Sequence, residues 1–176
     1  MNKPPMDVMK KILPFVSLGG LGILIVAASV FSLLFAYTAE YGFGLKPCIL
    51  CLYQRVPYAV CIGIGIIVIL LARTMPKTAR FMVYVAALSF LIGAGIALFQ
   101  VGVEHGWWKG TDACTGSSLA GLSASDFLDR IKSAPVVRCD DVQFSFLGIS
   151  MAGYNGIWGV CLAAVFAILP SFLRKA

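Results

Sequence analysis

Two of the six cysteines in the chain form a motif that is able to do redox chemistry. Cys48-Ile49-Leu50-Cys51 is a C-x-x-C sequence, and two intervening residues allow the sulfurs to meet across the first turn of a helix. Because Pro47 cannot continue a helix upstream, the pair is predicted to lie at a helix N-terminus. The unpaired N–H groups there favour thiolate over thiol. The motif therefore predicts a disulfide that exchanges readily.

Arg55 follows Cys51 by four residues, so a helix would place both side chains on the same face. A permanent cation at the edge of an apolar segment is costly unless it meets an anion or a polar ligand. The thiolate of Cys51, or an oxygen of a bound molecule, would meet that need. The alternative is an arginine that reaches from the end of a helix to the membrane surface.

A second pair, Cys114 and Cys139, flanks residues 115–138. A structural disulfide is the default for such a pair, but the glycine, serine, alanine and aspartate residues around it offer little packing. We expect an exposed, poorly packed disulfide, which is typically labile or catalytic. A zinc site built from all four cysteines is the competing interpretation. Such sites usually combine two closely spaced pairs, and this sequence has only one.

The composition indicates what surrounds these cysteines. The chain is 60% apolar and only 12% charged, too few charges for the surface of a soluble domain, so most of its surface is expected to face lipid. The formal net charge of +6 does not indicate nucleic-acid binding. The basic residues cluster at the ends of apolar runs instead of forming a stripe with interleaved aromatic residues.

Four stretches of the chain lack charge, and a helix needs about 20 apolar residues to cross a bilayer. The sequence therefore predicts an all-α membrane protein, a four-transmembrane-helix bundle with a long extracytoplasmic loop, in a single domain over 1–176. In the last stretch, turn-forming residues up to the Asn155-Gly156 pair indicate a helix that starts only near Tyr154. The first stretch is too long for a cleaved signal peptide and is interpreted as an anchor. The expected spans are about 14–37, 52–72, 81–102 and 154–173, with extracytoplasmic loops at 38–51 and 103–153.

Lysine and arginine residues predict the orientation, because they concentrate in cytoplasmic segments. The N-terminus, the second connection and the C-terminus are short and basic, whereas residues 104–141 hold six acids against four bases. Both termini are therefore predicted in the cytoplasm. Both cysteine pairs fall on the other side, where disulfides persist. Cys61 and Cys161 fall inside apolar spans, where a thiol behaves as a small, inert hydrophobic group.

The long loop carries two further features. Ser123 to Lys132 is predicted to form a short amphipathic helix, either flat on the membrane surface or packed on its own loop. Trp107 and Trp108 fall where an interfacial aromatic belt is expected.

The string from Lys46 to Arg55, KPCILCLYQR, resembles the signature of the DsbB family, the quinone-dependent disulfide oxidases of the bacterial inner membrane. Four spans, cytoplasmic termini and a second cysteine pair in the last external loop match the same family, so the resemblance covers essentially the whole chain. It implies a membrane thiol:quinone oxidoreductase with its cysteine pairs facing the periplasm. Such an enzyme reoxidises a soluble, DsbA-like thioredoxin-fold carrier and passes the electrons to a membrane quinone, ubiquinone or menaquinone.

The resemblance also implies roles for the four cysteines. Cys114 would form the mixed disulfide with the carrier, and Cys139 would pass electrons to the Cys48–Cys51 disulfide. Cys51 would then transfer them to the quinone. Between Cys114 and Cys139 the sequence matches the family only in outline, which leaves the carrier's identity open.

Two other residues receive cofactor-binding roles from the resemblance. Arg55 would polarise a quinone oxygen. Glu104-His105 resembles the acid–His pair that follows the third span in this family, which implies that His105 lies near the quinone. An ordinary interfacial histidine is the alternative.

Two other functions remain as alternatives. The first is a paralogue that oxidises a dedicated partner, or a related protein that conducts reductant in the opposite direction. The second is a structural membrane subunit whose cysteines only brace its extracytoplasmic loops. An arginine beside a C-x-x-C motif argues against the second.

Overall fold

Four long helices and one short β-hairpin make up the described part of the protein, in a computed structural model that covers residues 17–111, 114 and 138–172. All four helices are long and apolar enough to cross a membrane, which confirms the predicted all-α, four-helix membrane fold. The amphipathic helix predicted at Ser123 to Lys132 lies outside the described residues. The helices are α1 (Leu18–Tyr37), α2 (Ile49–Leu71), α3 (Pro76–Glu104) and α4 (Met151–Phe172).

Side chains and a proline define where the first three helices begin. The hydroxyl of Ser17 accepts a hydrogen bond from the backbone N–H of Gly20 and caps α1. Cys48 caps α2, which therefore begins at Ile49, three residues before the predicted membrane span of about 52–72. α3 begins with Pro76, whose missing N–H would have had no partner at that position in any case.

A π-helical turn, Thr38–Gly42, extends α1 beyond Tyr37. The backbone N–H of Leu45 bonds back to the carbonyl of Ala39 at 3.2 Å. Gly44 has a φ of +69°, which glycine adopts without strain, and the chain then runs toward α2. The wider turn places the carboxylate of Glu40 against a side chain of α2, as described below.

The interface between α1 and α2 depends on two glycines. A Cβ at Gly65 would lie 2.9 Å from the backbone oxygen of Gly22 and 2.7 Å from Cγ2 of Val26. Because lipid supplies no hydrophobic driving force, close backbone approach at small residues is how membrane helices gain packing energy. These two glycines therefore allow the two helices to contact over most of their length.

Small residues also mediate the packing of α3 against α4. A Cβ at Gly159 would lie 3.1 Å from the Cβ of Ala94, and one at Gly156 would lie 3.5 Å from the Cβ of Ala97. At the centre of the bundle, Phe90 of α3 stacks on Phe166 of α4, with ring centroids 5.7 Å apart. Both rings are almost completely buried. The packing order is therefore α1 on α2, α2 on α3, and α3 on α4.

A hairpin of two residues per strand leads into α4. Its strands are β1 (Ser145–Phe146) and β2 (Ile149–Ser150), joined at Leu147 and Gly148, both of which have positive φ. The hydroxyl of Tyr154 donates to the carbonyl of Phe146 at 3.0 Å and ties the hairpin to the helix.

The start of α4 corrects one sequence expectation. The helix begins at Met151, so Gly153, Asn155 and Gly156 are inside it instead of forming a turn ahead of it near Tyr154. Only Gly148 forms the predicted turn. Gly156 is needed for the close approach of α3, and the amide of Asn155 is held by side-chain hydrogen bonds within the bundle.

Trp107 and Trp108 directly follow α3 and are largely exposed, at 67% and 45%. Trp108 folds back on the helix, where its ring stacks on Phe99 and its indole N–H donates to the carbonyl of Phe99 at 3.0 Å. Their role in an interfacial belt stays a prediction.

The Gly65 contact predicts a position-specific effect on stability. Gly65→Ala should destabilise the folded protein by about 1–3 kcal/mol, because its methyl group would collide with the backbone of α1. Gly63→Ala, on the same helix but facing open space, should be neutral or stabilising by up to about 1 kcal/mol. Thermal unfolding in detergent measures both. Equal effects of the two substitutions would contradict the packing described here.

Candidate functional site

The C-x-x-C motif lies at the N-terminus of α2, as predicted. Cys48 is the N-cap residue and has an extended backbone (φ −75°, ψ 169°). Its sulfur accepts a hydrogen bond from the backbone N–H of Cys51 at 3.3 Å. The two sulfurs are 2.8 Å apart and are not bonded in this structure. A small movement would therefore close the pair into a disulfide.

The two thiols of this motif are not equivalent. The hydrogen bond to Cys51, followed by burial, raises the pKa of Cys48 well above its ordinary value. Cys48 is buried, whereas Cys51 is partly exposed. Cys48 therefore retains its proton in the dithiol form, which leaves Cys51 as the sulfur that is able to donate electrons outward.

Cys114 and Cys139 form a disulfide, with Cα atoms 5.1 Å apart. Each is only 1% exposed, so the expectation of an exposed, poorly packed disulfide was wrong. The ends of two membrane helices contribute to this burial. The disulfide packs in one apolar cluster with Cys48 and Leu50 at the start of α2 and Val103 at the end of α3. Residues of the two cysteine pairs are thus in the same cluster.

Short-range contacts fix Cys114 in this cluster. Its backbone N–H donates to the carbonyl of Thr111 at 2.7 Å, and the Thr111 hydroxyl donates to its sulfur at 3.3 Å. A Cβ at Gly110 would lie 2.9 Å from the Cβ of Cys114, so only glycine fits there without a shift.

On the other side of the disulfide, the chain after Cys139 is joined to the chain before Cys48. The side-chain amide of Gln143 makes two hydrogen bonds with the backbone of Lys46: it accepts from the N–H at 2.9 Å and donates to the carbonyl at 2.8 Å. Beside Cys139, the guanidinium of Arg138 makes a two-pronged contact with Asp140 and lowers the pKa of that carboxyl. Both side chains are solvent-exposed, so this pair orients the segment more than it stabilises it.

Arg55 pairs with Glu40 of the π-helical turn, with 2.5 Å between Nη1 and Oε2. Its guanidinium also lies 4.9 Å from the ring centroid of Tyr37. The sequence predicted that Arg55 needs an anion but suggested the Cys51 thiolate or a bound oxygen, and it missed Glu40. An acidic residue in the connection just before the motif was the signal available.

A cavity of about 600 Å³ opens between α1, α2, α4 and the β-hairpin. Its walls are overwhelmingly apolar, with Phe31, Phe35, Phe146 and Trp158 among them. A few polar side chains from three helices converge on it: Cys51, Gln54, Arg55, Tyr58, Glu40 and Asn155. This combination of volume, apolar walls and few polar groups is typical of a small-molecule site.

Several of these polar groups form a chain of side-chain hydrogen bonds through the bundle. Tyr58 donates to Asn155 at 2.7 Å, Asn155 donates to Gln54 at 2.6 Å, and Gln54 donates to Gln100 at 2.7 Å. Gln100 in turn contacts the sulfur of Cys51 at 3.4 Å. The sequence interpretation assigned no functional role to these four residues. Uncharged polar residues inside apolar spans were the signal that pointed to them.

His105 lies at the end of α3, outside this cavity. Its Nδ1 is 3.0 Å from the carbonyl of Val101, and its ring lies against Trp107 at 5.3 Å between centroids. It is exposed and is not among the described residues that line the cavity. The predicted contact between His105 and a quinone stays a prediction.

The two remaining cysteines differ from each other. Cys61 is completely buried in the main core, where its thiol donates to the carbonyl of Ala86 at 3.7 Å. Cys161 is exposed on α4 and forms part of the cavity wall. Within the described residues, no group of three or more histidine, cysteine, aspartate or glutamate side chains is arranged to hold a metal ion.

Comparisons with known proteins agree with this arrangement. The sequence profile of the family "Disulfide bond formation protein DsbB" matches residues 20–169. A disulfide bond formation protein B of Saccharophagus degradans is 34% identical over 148 residues, which is 81% of this chain and 87% of that protein. The corresponding protein of Mannheimia succiniciproducens is 29% identical over 165 residues, 89% of this chain and 86% of its own.

An uncharacterized protein of Rickettsia prowazekii is 30% identical over 158 residues, which is 89% of both chains. No solved structure matches the chain significantly. The family profile covers most of the chain, including both cysteine pairs and all four membrane helices, and this chain therefore belongs to the DsbB family of disulfide bond formation proteins.

Proposed function

We propose that this protein is a membrane thiol:quinone oxidoreductase that reoxidises a soluble, DsbA-like thioredoxin-fold carrier and delivers the electrons to a membrane quinone. The single observation that carries the proposal is that Cys51 belongs to both halves of the site. Its sulfur is 2.8 Å from that of Cys48, which packs in the cluster of the loop disulfide, and Cys51 also forms part of the wall of the apolar cavity. One sulfur therefore connects a thiol-exchange site with a small-molecule site.

Electrons enter at the loop disulfide. A thiolate of the reduced carrier attacks the Cys114 sulfur, the Cys114–Cys139 bond breaks, and Cys139 leaves as a thiolate. The carrier's second thiol then resolves the mixed disulfide, so that the carrier leaves oxidised and both loop cysteines are reduced. Because each of its cysteines is only 1% exposed, this attack requires Cys114 to move away from the ends of α2 and α3.

The second exchange transfers the electron pair to the C-x-x-C motif. The Cys139 thiolate attacks the Cys48–Cys51 disulfide and forms a mixed disulfide with one sulfur of the motif, while the other leaves as a thiolate. The Cys114 thiolate then attacks Cys139, which re-forms the Cys114–Cys139 bond and leaves the motif as a dithiol. The proximity of Cys48 to both loop cysteines in one apolar cluster supports this step.

The cavity fits a quinone headgroup. Its volume of about 600 Å³ is within the range of ligand sites, and its apolar walls suit a ring with a hydrocarbon tail. A bound quinone would supply the electron acceptor, taking two electrons and two protons to become a quinol. The chain's own contributions are the sulfur of Cys51 at one wall and the guanidinium of Arg55 at the same wall, one helical turn further along α2.

Glu40 and Tyr37 hold the guanidinium of Arg55 in place. The carboxylate of Glu40 accepts a hydrogen bond from Nη1, and the guanidinium lies over the ring of Tyr37. The other N–H groups of Arg55 are therefore the ones available to a ligand oxygen. A fixed donor of this kind costs little reorganisation when a ligand binds. Arg55 would thereby polarise a quinone oxygen, while Glu40 acts only through Arg55.

The family and the distribution of basic residues support a location in the bacterial inner membrane. Both termini would be cytoplasmic, and both cysteine pairs would face the periplasm, where the carrier is found. Ubiquinone and menaquinone both fit the chemistry.

A purely structural function for the cysteines is the second candidate, and one observation favours it. The loop disulfide is buried against the bundle, as a disulfide that only braces a loop would be. The two candidates differ in what the disulfide does when a reduced carrier is added. A paralogue with a dedicated partner would behave as the oxidase does but with another carrier.

The electron path predicts different failures for two single substitutions. Cys139→Ser leaves no loop disulfide for the reduced carrier to attack, so even a single round of carrier oxidation should be lost. Cys51→Ser leaves the loop disulfide able to exchange once, but multiple turnover with quinone as sole acceptor should fall by at least about a hundredfold. Cys61→Ala, which changes a core thiol far from both pairs, is the control and should turn over normally. Multiple turnover by the Cys51→Ser protein would contradict the proposal.

The Arg55–Glu40 pair predicts a graded effect on the quinone step. Arg55→Ala should raise the apparent KM for quinone about tenfold or more, because a charge-assisted hydrogen bond is lost. Arg55→Lys should restore only part of the affinity, since an ammonium cannot reproduce two N–H groups held in one plane. Glu40→Gln should have a smaller effect than Arg55→Ala, because Glu40 only orients the cation.

The same experiment separates the two half-reactions. A single-turnover exchange between the carrier and the loop disulfide should be unchanged in all three variants. If Arg55→Ala slows that exchange and leaves the quinone KM unchanged, the assigned role of Arg55 is wrong.

The proposed orientation is open to a direct test with reporter fusions. Alkaline phosphatase is active only outside the cytoplasm, where its own disulfides form. A fusion after Asp141 should therefore be active, and one after Lys77 should be inactive. The opposite pattern would reverse the orientation and remove both cysteine pairs from the oxidising compartment.

A further inference from the structure

Gln100 is a buried amide, 5% exposed, near the end of α3, and its side chain has three hydrogen-bonding neighbours. Its Nε2 donates to the sulfur of Cys51 at 3.4 Å and to Oε1 of Glu104 at 3.2 Å. Its Oε1 accepts from Nε2 of Gln54 at 2.7 Å. Both amide hydrogens are therefore used, one on a sulfur and one on a carboxylate.

The orientation of the Gln100 amide follows from the charge of Glu104. An ionised carboxylate only accepts hydrogen bonds, so Gln100 must present its NH2 group to Glu104 and to the adjacent sulfur. Its oxygen then faces Gln54, which must donate. The same reasoning continues along the chain to Asn155 and to the hydroxyl of Tyr58, both of which donate in the same direction. One charge at the end of α3 thus sets the direction of every bond in the chain.

We propose that Gln100 is a positioning residue that holds the sulfur of Cys51 at the cavity wall and stabilises its anionic form, with Glu104 fixing the direction in which Gln100 donates. The thiol form of Cys51 is also accommodated, because the amide oxygen lies 3.6 Å from the sulfur and is able to accept its proton. The anionic form accepts from this N–H and from the thiol of Cys48. Gln100 therefore contacts the sulfur in both states.

The charged and titratable groups around Cys51 show why an amide is needed there. The backbone N–H of Cys51 is already used by the sulfur of Cys48, which lies 2.8 Å from the Cys51 sulfur and retains its own proton. Arg55, one turn along the same helix, is paired with Glu40 from the π-helical turn. Glu104 from α3 accepts the other N–H of Gln100.

Among the described residues around Cys51, Gln100 is the neutral side-chain donor, besides the thiol of Cys48, that faces its sulfur. It also lies between two groups that would otherwise repel each other, the carboxylate of Glu104 and an anionic sulfur. Oε2 of Glu104 is buried with no hydrogen-bond partner in the described part of the chain. Such an unpaired carboxylate oxygen is costly at the edge of an apolar span, which argues that Glu104 is retained for what it does to Gln100.

The role of Gln100 in turnover rests on the proposed oxidase function, whereas its contact with Cys51 does not. The test is therefore alkylation of the reduced, full-length protein in detergent, without carrier or quinone. Iodoacetamide is added over a range of pH, and fragment-ion mass spectrometry separates Cys51 from Cys48. Exposed Cys161 serves as the internal reference in the same sample.

Gln100→Met keeps the length and volume of the side chain and removes both donors. We expect the pH of half-maximal alkylation at Cys51 to rise by about one unit. At intermediate pH this corresponds to an about tenfold smaller fraction of anionic Cys51. The limiting rate at high pH should stay unchanged, because access to the sulfur is the same. Gln100→Asn, which keeps the amide but withdraws it from the sulfur, should shift the midpoint in the same direction and serves if the Met variant does not fold.

Gln54→Met is the matched control, since it makes the same change to a buried amide one hydrogen bond further from the sulfur. Glu104 still orients Gln100 in that variant, so the Cys51 midpoint should not move. A folded Gln100→Met protein with an unchanged midpoint would overturn the proposal. So would a shift of equal size in Gln54→Met, or a change confined to the limiting rate.

Quinone reduction by the same proteins keeps this inference separate from the proposed function. If the Cys51 midpoint moves as expected but the wild-type protein reduces no quinone, the oxidase function fails and the role of Gln100 as donor stands. If quinone is reduced and the midpoint does not move, only the role of Gln100 fails.

Discussion

The start of α2 needs a hydrogen-bond acceptor for its free N–H groups, and a sulfur atom supplies it. The N-cap contact from Cys48 to the N–H of Cys51 fixes the first turn of the helix. Once that turn is fixed, the helical repeat places Cys51 beside the first sulfur, Arg55 one turn further and Tyr58 beyond it. One helix therefore carries Cys51, Arg55 and Tyr58, and the sulfur of Cys48 fixes where that helix begins.

The apolar surroundings explain why so many polar side chains in this domain are paired with one another. Water is not available within a membrane span, so each buried donor or acceptor needs a protein partner. Arg55 finds Glu40, and Gln54 finds Gln100 and Asn155. Each pair joins two different elements, α2 with the π-helical turn, α3 or α4. These contacts orient the elements around the cavity, while the glycine contacts bring the helix backbones close together.

The sequence was sufficient for the features that depend on short range or on composition. The spacing of Cys48 and Cys51 after a proline predicted the helix N-terminus, and the lack of charge in four stretches predicted the four helices. Features that depend on how distant segments meet were not accessible. The ends of α2 and α3 contribute to the burial of Cys114 and Cys139, whereas their own neighbours in sequence are small and polar.

The same limit applies to two polar residues. Glu40 becomes a partner of Arg55 only because α1 ends in a π-helical turn, and the sequence carries no clear signal for that turn. Asn155 followed by glycine is a strong turn signal, yet tertiary hydrogen bonds and close packing keep it inside α4. In both cases the tertiary contact outweighs the local preference.

The burial of the loop disulfide affects which thiols are able to reduce it. An exposed disulfide would be reduced by any small thiol that diffuses past, and each such event would drain the membrane acceptor without oxidising a protein. With both sulfurs packed against the ends of α2 and α3, a small thiol would reach the bond only when these cysteines move away from the helices. In the proposed oxidase, a folded partner would use its binding energy to stabilise that opened state. The burial of the disulfide would then act as a kinetic filter that favours protein thiols over small ones.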